Sequence, residues 1–89
     1  MNSAHRKILD AVFSHPVPKA LKWADIEGLF QACGCRVSEG AGSRVRVSLG
    51  DAVLNAHRPH PGKEAKPYQV RDARAFLERI GVTPGKEDK

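Results

Sequence analysis

Residues 35–57, CRVSEGAGSRVRVSLGDAVLNAH, alternate side-chain character with a period of two and break the alternation only around glycines. Val45, Val47 and Leu49 share one parity, and Arg44, Arg46 and Ser48 share the other. Successive side chains on a strand point to opposite faces, so the pattern predicts one buried face and one wet, basic face. Cys35 and Val37 repeat the apolar parity, with Arg36 and Ser38 opposite. The Glu39-Gly40-Ala41-Gly42 run and the Gly50-Asp51 pair predict hairpin connections. A third strand is expected over Ala52–His57, with Val53 turned inward. A chain with this centre folds as a three-stranded antiparallel meander, and its apolar face needs a cover.

The flanks supply helices for that cover. Ile8, Leu9, Val12 and Phe13 give one apolar stripe and predict a helix over residues 4–14, with Ser3 as its N-cap. Pro16 and Pro18 end it, because proline removes a donor and restricts the residue before it. Residues 15–21 are then a connector. Ile26, Leu29, Phe30 and Cys33 recur at helical spacing and predict a second helix over residues 23–33. Asp25 and Glu27 lie in its first turns, where acidic side chains favour the positive end of the helix dipole, and Gly34 supplies a left-handed stop. Trp23, at the mouth of this helix, reads as a hydrophobic anchor for the helix entry. Residues 58–67, RPHPGKEAKP, hold three prolines and form a loop. Val70, Ala73, Phe76, Leu77 and Ile80 predict the last helix over residues 69–80, ended by Gly81. Residues 83–89 are expected to be a flexible polar tail. The fold class is α+β: a three-stranded antiparallel sheet in the order α-α-β-β-β-α, with helices on one face.

Eighty-nine residues make one domain with a small core. The first residues, MNSAHRKILDAV, hold no long apolar run, so neither a signal peptide nor a membrane span is expected. Cys33 and Cys35 form a lone C-x-C, too little for a structural zinc site, and read as reduced thiols of a cytoplasmic protein. Fifteen Lys and Arg against 10 Asp and Glu leave a net charge of +5, which favours a polyanionic partner, above all nucleic acid.

The candidate site is the wet sheet face with the loop after it: Arg44, Arg46, His57, Arg58 and His60, with Lys63 and Lys66 nearby. Arginine forks and lysine point charges suit phosphate oxygens, and the 2′-hydroxyl of RNA is the natural target of a histidine base. The competing reading is that Arg44 and Arg46 only solvate a sheet face. A third reading is an interaction module whose basic face meets an acidic protein. His57 and His60 would be a metal pair, but Glu64 alone does not complete the ligand set, so no metal and no cofactor are expected. His5 and His15 flank the first helix and are expected to be solvated. A Ser-His-Asp arrangement, a P-loop and a G-x-G-x-x-G motif are all absent from the sequence.

The order helix, Gly, strand, Gly-Ser, strand, strand, P-H-P-G-K-E, helix ending in Gly resembles the HicA toxin family of bacterial type II toxin–antitoxin modules. The resemblance covers about residues 22–82, through KWADIEGLFQACG, GAGSRVRV, HRPHPGKEAKP and VRDARAFLERIGV. It leaves the 4–14 helix outside the core as an N-terminal addition. It implies a fold similar to a double-stranded-RNA-binding domain and an mRNA interferase that cleaves RNA without a metal. It also implies a HicB-like antitoxin that covers the active face. The family's catalytic histidine follows a Gly-Ser or Gly-Gly pair on the second strand. Here Gly42-Ser43 is followed by Arg44. Arginine stays protonated and cannot serve as a general base, but it can hold a phosphate. His60 matches a position the family often fills with histidine, and His57 or His60 is the candidate substitute base. The resemblance therefore leads to two expectations: an RNA-cleaving toxin, or an RNA-binding or antitoxin-binding module without nuclease activity.

Overall fold

The structure, a computed structural model, describes residues 1–85. The tail expected over residues 83–89 lies partly outside them. The elements run α1 (Ser3–Val12), α2 (Trp23–Ala32), β1 (Arg36–Glu39), β2 (Arg44–Leu49), β3 (Ala52–His57) and α3 (Pro67–Arg79). The architecture is α+β with a three-stranded antiparallel sheet in the order β1-β2-β3. α2 packs against β1, α3 packs against β3, and α1 lies on both of these helices. α2 and α3 thus cover one sheet face, and α1 packs on them. Among the described residues no helix is long and apolar enough to cross a membrane.

The core sits between sheet and helices. Leu9, Val12, Ile26, Leu29, Phe30, Val47, Val70 and Leu77 are fully buried. Phe30 of α2 and Phe76 of α3 meet edge to face, with ring centroids 5.5 Å apart, in the arrangement that the ring quadrupoles favour. α1 is anchored at both ends. Its N-cap is Asn2, whose Oδ1 accepts from the His5 N–H at 2.8 Å. Ser3, the expected cap, is instead the first helical residue. At the other end Arg74 of α3 donates from Nε to the Val12 carbonyl at 3.0 Å and from Nη2 to the Ser14 carbonyl at 3.1 Å. The Val12 carbonyl is among those a helix end leaves without intrahelical partners, and Ser14 lies just beyond the cap. His5 also departs from expectation. It is half-buried beside Gly28, and its Nδ1 is sealed from water without a hydrogen-bond partner, while His15 is exposed.

The sheet register corrects one inward assignment. The Gly50-Asp51 turn closes on the Leu49–Ala52 pair, and Gly50 has φ +58°, as a type II′ hairpin requires at its first central position. Counting from that pair, Ala52, Leu54 and Ala56 stand opposite Leu49, Val47 and Val45 and share their face. Val53 pairs with Ser48 and belongs to the open face, not the core. Val45 and Val47 are buried as the alternation requires, but Leu49, at the hairpin end, is 37% exposed. Cys33 and Cys35 both stand as thiols, with Cys35 buried.

The loop between β3 and α3 is tied down without forming a regular element. The Trp23 N–H donates to the Lys63 carbonyl at 3.0 Å and the Ala65 N–H to the Leu21 carbonyl at 2.7 Å. A single β-bridge joins Lys22 to Glu64. Trp23 is buried, 3% exposed, as its role as an anchor requires.

Candidate nucleic-acid interface

The open face carries the side chains that the helices leave uncovered. By register, Arg36 and Ser38 of β1, Arg44, Arg46 and Ser48 of β2, and Val53, Asn55 and His57 of β3 share it. Arg44 stands directly opposite His57, and Arg46 lies between Ser38 and Asn55. Directly opposed residues of an antiparallel pair bring their Cβ atoms to about 4.5–5.5 Å, so the guanidinium and the imidazole reach the same ligand atoms. Ser38, Glu39, Arg44, Arg46, Asn55 and His57 line an open groove of about 410 Å³, in which Glu39 is the one carboxylate. Arg36, Arg44, Arg46 and His57 are all exposed. The arrangement offers two forked cations and one titratable base on one wet surface, chemistry suited to a phosphodiester.

Arg58 does not join them. Its N–H donates to the Ser43 carbonyl at 2.8 Å, which places it one step past His57 and on the helix-side parity. There its guanidinium pairs with Glu27 of α2 through Nε to Oε2 at 2.9 Å and Nη2 to Oε1 at 3.1 Å. Nη1 lies 3.3 Å from Glu39 Oε2. The hydrogen bond that Glu27 accepts holds the Arg58 guanidinium even more firmly in its charged form than usual. The Trp23 indole N–H donates to the same Glu27 carboxylate. Arg58 and Lys63 line a second hollow, of about 220 Å³, with Lys22, Trp23, Glu27 and Pro59. His60 and Lys66 are exposed and line neither hollow. The structure therefore brings Arg44, Arg46 and His57 together and sets Arg58, His60, Lys63 and Lys66 apart from them.

Two residues that the sequence reading passed over hold this arrangement. Glu27 read as a helix-dipole acid and proves to be the partner of Arg58. Gln69 is 4% exposed, the one buried polar residue among the described residues. Its Nε2 donates to the His57 carbonyl at 2.7 Å, and its Oε1 accepts from the Lys66 N–H at 2.9 Å. A signal was present: Gln69 lies four residues before Ala73 and seven before Phe76, on the apolar stripe of α3. A polar residue on a buried stripe implies a partner. Burial, with a smaller contribution from neighbouring Cys33, pushes the Cys35 thiol above its ordinary value.

A family model described as HicA toxin of bacterial toxin–antitoxin systems matches residues 23–82, from the first residue of α2 to just past α3. No curated protein and no solved structure matches the chain.

Proposed function

Since the chain belongs to the HicA toxin family of bacterial toxin–antitoxin modules, we propose that it binds mRNA across the open sheet face and cleaves the strand beside His57. The observation that carries this reading is the pairing of Arg44 with His57 across β2 and β3. In the position that follows Gly42-Ser43, Arg44 takes the place of the family's histidine. His57 restores an imidazole to the same spot from the neighbouring strand. Arg44 and Arg46 hold the phosphate, and Arg36 extends the contact along the backbone.

In the step proposed, His57 removes the proton from a ribose 2′-hydroxyl. The 2′-oxygen attacks the adjacent phosphorus, and the bond from phosphorus to the 5′-oxygen breaks. The departing 5′-oxygen takes a proton from water. The products are a 2′,3′-cyclic phosphate and a 5′-hydroxyl. Arg44 stabilises the charge that builds on the non-bridging oxygens, a role that a permanently protonated guanidinium fills and a base does not. The antitoxin of this reading is HicB-like and covers the groove. An mRNA substrate places the protein in the cytoplasm.

The test is incubation of the pure protein with single-stranded RNA in the presence of a chelator. Wild type and His60→Ala are expected to release cyclic-phosphate ends, and His57→Ala is expected to bind RNA without cutting it. Binding without cleavage by the wild type would leave an RNA-binding or antitoxin-binding module and remove the nuclease. Equal cleavage by His57→Ala and wild type would remove His57 as the base.

A further inference from the structure

The peptide unit joining His57 to Arg58 is held from both sides. Its N–H donates to the Ser43 carbonyl at 2.8 Å, which closes the ladder with β2. Its carbonyl, pointing away from β2 at the sheet edge, accepts from Gln69 Nε2 at 2.7 Å. Sheet pairing provides the first bond and would do so for any residue at position 69. The second depends on one buried amide.

The bond matters because of where His57 stands. It is the last residue of β3, an edge strand beside which the described residues place no fourth strand to fix its backbone. It lines the open-face groove with Arg44 and also a smaller hollow of about 70 Å³ at the sheet edge with Tyr68, Gln69 and Asp72. An imidazole on that rim has two hollows open to it. The tilt of the 57–58 peptide sets which one the Cα–Cβ bond favours.

Gln69 is well built to set that tilt. Its side chain uses both ends of the amide, Nε2 on His57 and Oε1 on the Lys66 N–H at the start of α3. With both ends engaged, the amide has one orientation that satisfies both partners. Its burial beside Val70 and Ala73 keeps water from competing for the bond. The clamp of Arg58 by Glu27 and Glu39 secures the next residue independently, so Gln69 governs the His57 side of the peptide.

We propose that Gln69 is a positioning residue that holds the His57 imidazole over the Arg44 groove. The proposal rests on the reading of His57 as the cleaving base, and its test separates the two. Two variants are compared with wild type. Gln69→Met keeps the length and removes both bonds. Gln69→Glu keeps the acceptor for the Lys66 N–H and removes the donor to His57. Three quantities are read: the χ1 rotamer populations of His57 by NMR, the dissociation constant for single-stranded RNA, and the cleavage rate at saturating RNA. Wild type is expected to show one dominant His57 rotamer, and both variants rotamer averaging. RNA affinity is expected to stay within about twofold, because Arg44 and Arg46 remain. The saturating cleavage rate is expected to fall by about tenfold to a hundredfold, the range that a misplaced catalytic group costs. A single unchanged rotamer in a folded Gln69→Met or Gln69→Glu overturns the proposal. So does a drop in melting temperature alone, with rotamer and rate unchanged. If wild type does not cut RNA, the nuclease reading falls, and the rotamer measurement still decides the positioning.

Discussion

Arg58 and Glu27 meet fork to fork, with Nε to Oε2 at 2.9 Å and Nη2 to Oε1 at 3.1 Å, across 31 residues of chain. The pair ties the end of β3 to the first turns of α2. It also takes out of the candidate site an arginine that the sequence assigns to phosphate. The same carboxylate accepts from the Trp23 indole, so one acid serves two donors from different elements.

Replacing Glu27 by alanine is expected to destabilise the fold by about 1–2 kcal/mol, through the buried indole N–H left unmet. Arg58 is partly solvated, so its share is small after screening. Thermal denaturation should register a loss of several degrees in a domain of this size. An unchanged melting temperature would show that water replaces the carboxylate at no cost.

Arg44→Ala and Arg46→Ala are each expected to weaken RNA binding and to lower the slope of log affinity against log salt by about 0.7, the value of one phosphate contact on a single strand. Arg58→Ala is expected to leave that slope unchanged, because its guanidinium is committed to Glu27 and Glu39. Filter binding from 50 to 300 mM salt (on the order of the range in which such slopes are read) distinguishes the three. Equal slopes for all three variants would count against the division of arginines between the two faces.

Leu9→Ala tests whether α1 belongs to the core. Leu9 is fully buried against the other helices. Its truncation is expected to cost about 2–5 kcal/mol, the range for emptying a leucine site. Urea unfolding would read this as a shift of midpoint at constant slope. A shift worth a few tenths of a kcal/mol, the size of a surface change, would make α1 an appendage.

Cys35 gives a pH dependence. Its thiol is held above the ordinary value of 9.0 by burial first and by Cys33 second. The folded state therefore binds this proton more tightly than the unfolded state. Stability is full below the unfolded value and declines as pH climbs from there through the folded one. Denaturant midpoints measured between neutral and strongly alkaline pH should fall in wild type and fall less in Cys35→Ala. Alkylation of Cys35 at mildly alkaline pH should be slow in the folded protein and speed up in denaturant.

The sheet and its two faces were legible because Val45 and Val47 against Arg44 and Arg46 leave a single parity choice. The helices followed from their apolar stripes and from Gly34 and Gly81, both at positive φ as left-handed stops require. Val53 went wrong for lack of a count. A two-residue turn at Gly50-Asp51 pairs Leu49 with Ala52, and parity then sends Val53 outward. Arg58 was illegible in a different way. Its partner lies on a helix 31 positions upstream, and no local pattern reports an ion pair across that separation. Strand parity alone placed Arg44 and Arg46 on the open face, whereas His57 shares the parity of Val53 and reaches that face only by the turn count, and of the residues behind them Glu27 left no local signal.

The Arg74 bonds to the Val12 and Ser14 carbonyls span 62 and 60 residues. A ribosome making this chain delivers both early helices and the whole sheet before it adds the side chain that fastens α1. Until α3 follows, Leu9 and Val12 have only part of their final neighbours, and the groove end at His57 lacks the amide of Gln69. The order of synthesis thus leaves the open sheet face to be completed by α3, so an interrupted translation product would carry its arginines without the bond from Gln69.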